Sequence, residues 1–74
     1  MFLTIREIPL LGERGRARAV EEWREAARLV WTRWEVFLDA EHESRGSAFA
    51  SYVAALDAEQ AAAVAITRLA VAAA

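Results

Sequence analysis

Large apolar side chains recur at alternating spacings of three and four residues in the first half of this chain. This spacing places them on one face of a single helix, because an α-helix turns once in about 3.6 residues. Such a face must pack against another surface, so it constrains the fold more than any other feature. The face consists of Val20, Trp23, Ala27, Val30, Trp34 and Phe37, with Trp31 at its edge.

A second helical run, at about residues 48–72, is rich in alanine and contains no proline. Tyr52 lies beside its apolar stripe, whereas Ile66 and Leu69 leave that stripe. Asp57 begins a pattern that resembles a capping box, so a break near residue 57 is an alternative. One continuous helix is favoured, because alanine-rich sequence propagates helix well. The stripe consists of Phe49, Val53, Leu56, Gln60, Ala63, Thr67 and Val71.

The first 15 residues have a different character. They begin with β-branched and aromatic residues, and Pro9 disfavours helix at the residue before it. Gly12 and Gly15 then loosen the chain. We therefore predict an extended N-terminal arm over residues 1–15, which could lie across a neighbouring protein or add a strand to it.

The remaining residues, 16–74, predict an antiparallel helical hairpin and an all-α fold class. We place the first helix at about 16–43 and the turn at 43–47. In that turn, Gly46 suits a left-handed cap and Ser47 suits the N-cap of the following helix.

The composition predicts that the hairpin assembles. A chain of 74 residues buries only about 60% of its unfolded surface. Its hydrophobic content of 57% exceeds the usual value of roughly 45–50%, and it has no cysteine for disulfides. We expect two hairpins to form a four-helix bundle, or one hairpin to pack on a larger partner. The predicted interface residues are Trp23, Trp31, Trp34, Phe37, Leu29, Val36, Phe49, Ile66 and Leu69.

Charge and hydropathy exclude several classes of protein. A net charge of -2 and a pI near 5.3 argue against a chain that mainly neutralises nucleic-acid phosphates. The N-terminus lacks the pattern of a signal peptide, and the C-terminal run is too short and weakly apolar to span a membrane. We therefore expect a cytoplasmic protein. Its basic residues are all arginine and alanine is abundant, which indicates a high-GC bacterial source.

Three polar residues near the end of the first helix form a candidate metal site. Glu35, Asp39 and His42 are spaced so that one helical face could bring oxygen and imidazole ligands to a divalent ion. They also lie on the polar side of the helix beside Arg28, where solvated charges are expected. We favour the solvated interpretation and predict no metal and no cofactor.

Acidic residues at the start of the first helix carry a family resemblance. Glu21, Glu22 and Glu25 resemble the first half of the magnesium motif of all-α nucleotide pyrophosphohydrolases. The resemblance implies metal and triphosphate held between acidic helices. The second half of that motif needs an acidic pair three residues apart on a later helix, whereas Glu35 and Asp39 are four apart on the same helix. Ion pairs with neighbouring arginines are the simpler interpretation.

A run of basic residues precedes the first helix. Arg14, Arg16 and Arg18 form a positive patch that could contact phosphates. The patch lacks interleaved aromatic residues and a helix-turn-helix pattern, and cations at a helix N-terminus oppose its dipole. A solvated or partner-facing surface is the favoured interpretation.

These features predict a small non-enzymatic helical interaction protein, a structural or accessory subunit of a homo- or hetero-oligomeric assembly. One alternative is a small nucleic-acid-binding regulator that uses the arginine patch. A second is a divalent-metal-dependent protein resembling the helical nucleotide hydrolases.

Overall fold

The chain folds into two long helices that run antiparallel. In the computed structural model, helix α1 spans Phe2–Asp39, a 3-10 turn spans His42–Ser44, and helix α2 spans Arg45–Ala73. The structure describes the backbone of residues 2–73 and the side chains of residues 13–71. Residues 2–73 contain no strand, so the predicted all-α hairpin is confirmed.

The N-terminal segment differs from the prediction, because the backbone is helical from Phe2 onward instead of extended over residues 1–15. Pro9 lies inside α1, where it lacks the N–H that would bond to the carbonyl of Ile5. That loss disfavours the helix only locally. Once a helix is nucleated, each further residue adds a hydrogen bond, so the helix continues through the proline and the two glycines.

The turn also lies earlier than predicted, because α1 ends at Asp39. Glu41 is extended, with φ -73° and ψ 160°. The amide of Ser44 then donates to the carbonyl of Glu41 at 2.8 Å, which starts the 3-10 turn that leads into α2. Gly46 lies within α2, and no glycine of the described backbone has a positive φ. The predicted left-handed cap is therefore wrong.

Helix α1 packs on α2 through the face that its sequence predicts. All six residues of that face are half-buried. Ala19 is more deeply buried than any of them, at 7% exposure, and Ala26 is half-buried beside it. We call the line of contact between the two helices the seam.

Helix α2 is continuous through Asp57. The face that it packs into the seam is not the one that carries its main apolar stripe. Phe49 of the predicted stripe is 49% exposed, whereas its neighbour Ala48 is 8% exposed. A shift of one position rotates the packing face by about 100°. Ile66 and Leu69, which lie off the stripe, are half-buried in the seam. The residues of α2 in the seam are Ala48, Tyr52, Ala55, Glu59, Ala62, Ile66 and Leu69.

An aromatic cluster joins the two helices next to the turn. The ring of Trp34 lies 5.4 Å from that of Phe37 and 5.0 Å from that of Tyr52. Phe49 lies 5.5 Å from Phe37 and 6.2 Å from Tyr52. The guanidinium of Arg45 covers the Phe37 ring at 5.4 Å. These contacts fix how the helices align along their length.

The hairpin has no core of large side chains. Among residues 13–71, only Ala19, Ala48 and Ala55 are buried, and no large side chain is fully buried. Three methyl groups contribute only about 2–3 kcal/mol to folding. The molecule is a rod of 61 × 16 × 14 Å, so most side chains remain in reach of solvent. Further apolar burial requires contact with another molecule.

Candidate interaction surface

One side of the hairpin is mainly apolar, and we call it the front face. Its residues lie beside the seam on both helices. The contact of Trp34 with Tyr52 and a small cavity lined by Val30, Trp31 and the same two rings show that both helices contribute to this side. The front face consists of Val20, Ala27, Trp31, Trp34, Leu38, Phe49, Val53, Leu56, Gln60, Ala63, Thr67 and Val71. The charged side chains of Arg16 and Arg24 border it beside Val20.

Trp31 is the most prominent residue of the front face. The residue is 68% exposed, although tryptophan has the largest apolar side chain in proteins. It borders the cavity of about 190 Å³ that Val30, Trp34 and Tyr52 also line. Within the described residues, no aromatic ring pairs with it. Exposed tryptophans beside a cavity are typical anchors of protein interfaces.

The opposite side, the back face, is more polar and contains two shallow grooves. The groove near the turn has a volume of about 570 Å³ and is lined by hydroxyl and charged groups that include Ser44, Ser47 and Arg33. The other groove has a volume of about 380 Å³ and lies between Arg18 and Arg68. The two sides of the hairpin therefore have different surface chemistry.

Two exposed apolar residues of the predicted interface belong to α1 but not to the front face. Leu29 is 41% exposed and Val36 is 49% exposed. Val36 lines the groove near the turn, on the back face. The predicted interface residues are thus divided among the seam, the front face and the back face.

The candidate metal ligands do not converge. Because α1 ends at Asp39, His42 belongs to the 3-10 turn and no longer shares a helical face with Glu35. Within the described residues, no group of three or more histidine, aspartate or glutamate side chains could hold a metal ion. The predicted alignment of these three residues depended on a helix that continued to residue 43.

The acidic residues that resemble the magnesium motif do not share the same contacts. The carboxylate of Glu21 lies 3.7 Å from the guanidinium groups of Arg24 and Arg28. Glu22 instead lines the back-face groove beside Arg18. The Glu21 pairs are more than half exposed, so each contributes little to stability. The ion-pair interpretation therefore accounts for Glu21.

The arginine patch is divided by the helix that carries it. Successive members are two positions apart, so each turns about 200° from the last. Arg18 lines the back-face groove with Arg68, whereas Arg16 lies in a different groove beside Val20. Arg14, four positions before Arg18, lies on the same side of the helix as Arg18, and all three arginines are exposed. The three arginines do not form one surface for a phosphate backbone.

Neither helix, over the residues that the structure describes, carries an apolar stretch long enough to cross a membrane. Comparison of the chain with protein-family models, curated proteins and solved structures finds no significant match. The surface chemistry of the hairpin is therefore the guide to its function.

Proposed function

We propose that this chain is a small non-enzymatic helical interaction protein that acts as a structural or accessory subunit of an oligomeric assembly. The exposed Trp31 on a mainly apolar face carries the proposal. A front face of this kind is costly to leave in water, and covering it supplies the core that the hairpin lacks. The cytoplasmic location and the bacterial source stay predictions from composition.

The area of the molecule supports a partner of substantial size. The chain exposes 6136 Å². A compact protein of its mass, 8.2 kDa, exposes only about 4500 Å². The excess of about 1600 Å² is roughly twice the 800 Å² that each partner buries in an ordinary protein interface. The hairpin therefore has enough uncovered surface for a stable assembly.

The two alternative functions have weaker support from the geometry. A nucleic-acid regulator would need its basic residues on one surface, and the helix separates Arg16 from Arg18. A magnesium-dependent hydrolase would need free acidic groups, and Glu21 is paired with two arginines. We therefore propose neither of them.

Two matched substitutions on α1 test the proposed function. Leu38 lies on the front face at 56% exposure, and Val36 lies on the back face at 49% exposure. We expect Leu38→Glu to dissociate the assembly, because it buries a charge in the interface, and Val36→Glu to leave the assembly intact. Light scattering coupled to size exclusion measures the mass of each variant.

The unmutated protein provides the decisive outcome. The proposal is supported if the unmutated chain is assembled, Leu38→Glu dissociates it and Val36→Glu does not. It is also supported if the chain shows no cooperative unfolding transition in the absence of a partner. A monodisperse monomer with a cooperative, concentration-independent unfolding transition overturns it, because such a hairpin needs no partner.

A further inference from the structure

We propose that the back face holds a binding site for a phosphate monoester that carries an apolar substituent. The site is the back-face groove that lies away from the turn, and we call it the open-end groove. It lies on the opposite side of the hairpin from the front face, so it is independent of the proposed function. The placement of three arginines, the lining of the groove and the balance of charge around it support this assignment.

Two arginines from different helices lie at the same level of the hairpin. The contact of Trp34 with Tyr52 sets the antiparallel alignment of α1 and α2. Arg18 lies 16 positions before Trp34, and Arg68 lies 16 positions after Tyr52, so the two arginines are level with each other. Both line the open-end groove, which therefore has a guanidinium-bearing side chain from each helix.

Arg14 adds a third positive charge on the same side of the hairpin. It lies four positions before Arg18, which is one helical turn farther from the 3-10 turn. Like charges at this spacing repel each other. Among the side chains of residues 13–71, the ion pairs that form belong to Glu21, so none of the three arginines is paired there. An anion held between the arginines removes their repulsion.

Few acidic residues oppose this positive charge. Arg68 is the only charged side chain after Glu59 in the sequence. Glu22 lines the groove one turn from Arg18, but it forms no ion pair with Arg18 or Arg68. Glu25 follows Glu22 by nearly one turn and lies outside the groove.

The charge of the site matches that of a phosphate monoester. The three arginines carry three positive charges against the single negative charge of Glu22, which leaves a net charge of +2. A phosphate monoester carries about -1.5 to -2 near pH 7, whereas a carboxylate carries only one negative charge. The planar guanidinium of arginine also donates two parallel N–H bonds to phosphate oxygens, which suits arginine to this group.

The remainder of the open-end groove suits the apolar substituent of the phosphate. The groove has a volume of about 380 Å³. Four of its lining residues are glycine or alanine, so a ligand can lie close to the helix backbones. An apolar group placed there is removed from water, which favours binding. The lining residues other than the charged ones are Gly15, Ala19, Ala61, Val64, Ala65 and Leu69.

The other groove of the back face, near the turn, has the opposite charge. Its charged lining residues are one arginine and three acids, so a phosphate placed there would be repelled. These residues are Arg33, Glu35, Asp39 and Glu41. An anion on the back face therefore prefers the open-end groove.

The phosphate backbone of a nucleic acid fits the site less well than a monoester. Each of its phosphodiesters carries a single negative charge, and Arg16 lines a different groove from Arg18. A nucleic acid would need further basic residues along the same surface. The duplex is therefore one arm of the test, and the monoester is the ligand that we assign.

Calorimetric titration of the full chain with octyl phosphate tests the site. The titration is made at low ionic strength and slightly alkaline pH, with the ligand below the concentration at which it forms micelles. We expect octyl phosphate to bind. Octyl sulfate, of equal length, should bind about tenfold more weakly, because it carries one negative charge instead of two. Octanol, which carries no charge, should show no binding at the same concentrations.

Three single variants locate the binding. Arg18→Gln and Arg68→Gln should each weaken the binding of octyl phosphate by about tenfold or more, because each removes a charged donor to the phosphate. Arg16→Gln is the matched control, because it removes the same charge from the same helix but lines another groove. It should change the affinity by less than about twofold. All three arginines are exposed, and circular dichroism verifies that the variants fold.

The outcomes are distinct from those for the front face. The proposed site is overturned if octyl phosphate does not bind, or if Arg16→Gln weakens binding as much as Arg18→Gln and Arg68→Gln do. Inorganic phosphate that binds as tightly as octyl phosphate overturns the apolar part of the site. A generic DNA duplex that binds more tightly than octyl phosphate overturns the monoester in favour of a nucleic acid. The mass of the chain in solution tests the front face separately.

Discussion

Replacing Trp34 should destabilise the hairpin itself, whereas replacing Trp31 should weaken only its assembly. Trp34 is half-buried and makes ring contacts with Phe37 and Tyr52. Trp31 is three residues away, is 68% exposed and makes no aromatic pair within the described part of the chain. The two alanine variants therefore form a matched pair.

The expected loss in Trp34→Ala follows from burial and ring contacts. Trp34 is buried over about two thirds or more of its surface. For a tryptophan side chain this is at least about 130 Å², which at about 25 cal/mol per Å² contributes about 3 kcal/mol. Each of its two aromatic contacts adds roughly 0.5–1.5 kcal/mol, so the total is about 5 kcal/mol. A domain of this length has a free energy of unfolding of roughly 4–11 kcal/mol, so the variant should be close to unfolding and the assembly should dissolve.

Chemical denaturation followed by far-UV circular dichroism, repeated over a range of protein concentrations, measures both variants. We expect Trp34→Ala to lower the midpoint at every concentration. Trp31→Ala should lower it most under conditions where the unmutated chain is assembled, and by less than about 1 kcal/mol where the chain is monomeric. Equal effects of the two variants on the monomer, or no effect of Trp34→Ala, would refute this account.

Three further substitutions probe other parts of the hairpin by thermal unfolding. Ala55→Leu overfills the seam, where Ala55 is only 4% exposed, and should cost about 1–3 kcal/mol; an unchanged melting temperature would contradict the close packing. Gly15→Ala and Gly46→Ala should each stabilise the hairpin by up to about 1 kcal/mol, because both glycines are helical and an added Cβ meets nothing within 4 Å. If either variant is less stable than the unmutated chain, that position needs glycine. Glu21→Gln removes two exposed ion pairs and should change stability by less than about 1 kcal/mol, so a larger loss would point to a role beyond ion pairing.

The periodic face of α1 was predictable because its signal is strong. Tryptophan, valine and phenylalanine recur on one helical face, and any compact fold must bury such a face. The second helix has no comparable contrast between an apolar and a polar face, because alanine is present on every side of it. The hydrophobic pattern selected the stripe with Phe49, but the seam takes the stripe with Ala48 and Ala55.

Steric fit explains that choice. The large rings of α1 occupy much of the space between the helices, so the closest approach of α2 is through alanine, and larger side chains such as Tyr52 and Ile66 fill the rest of the seam. A repeat of alanine at seven-residue spacing, Ala48, Ala55 and Ala62, was the signal in the sequence that could have indicated this face. It is weak because alanine is so frequent in the second half of the chain.

The candidate metal site depended on an element boundary, which local sequence determines poorly. The alignment of Glu35 with His42 required α1 to continue past Asp39, and the end of α1 at that residue removes it. The separation of Arg16 from Arg18 needed no boundary, because both residues already lay within the predicted helix and two positions turn a helix by about 200°.

The sequence by itself determined that this chain is a helical hairpin with more apolar surface than two helices can bury, because hydrophobic periodicity and composition are properties of the chain alone. Only the tertiary structure decided which apolar residues lie in the seam and which remain on the front face. That division depends on how side chains of different size fit between two particular helices, and no single helix contains this information. The exposed position of Phe49 and the half-buried position of Ile66 are its direct consequences.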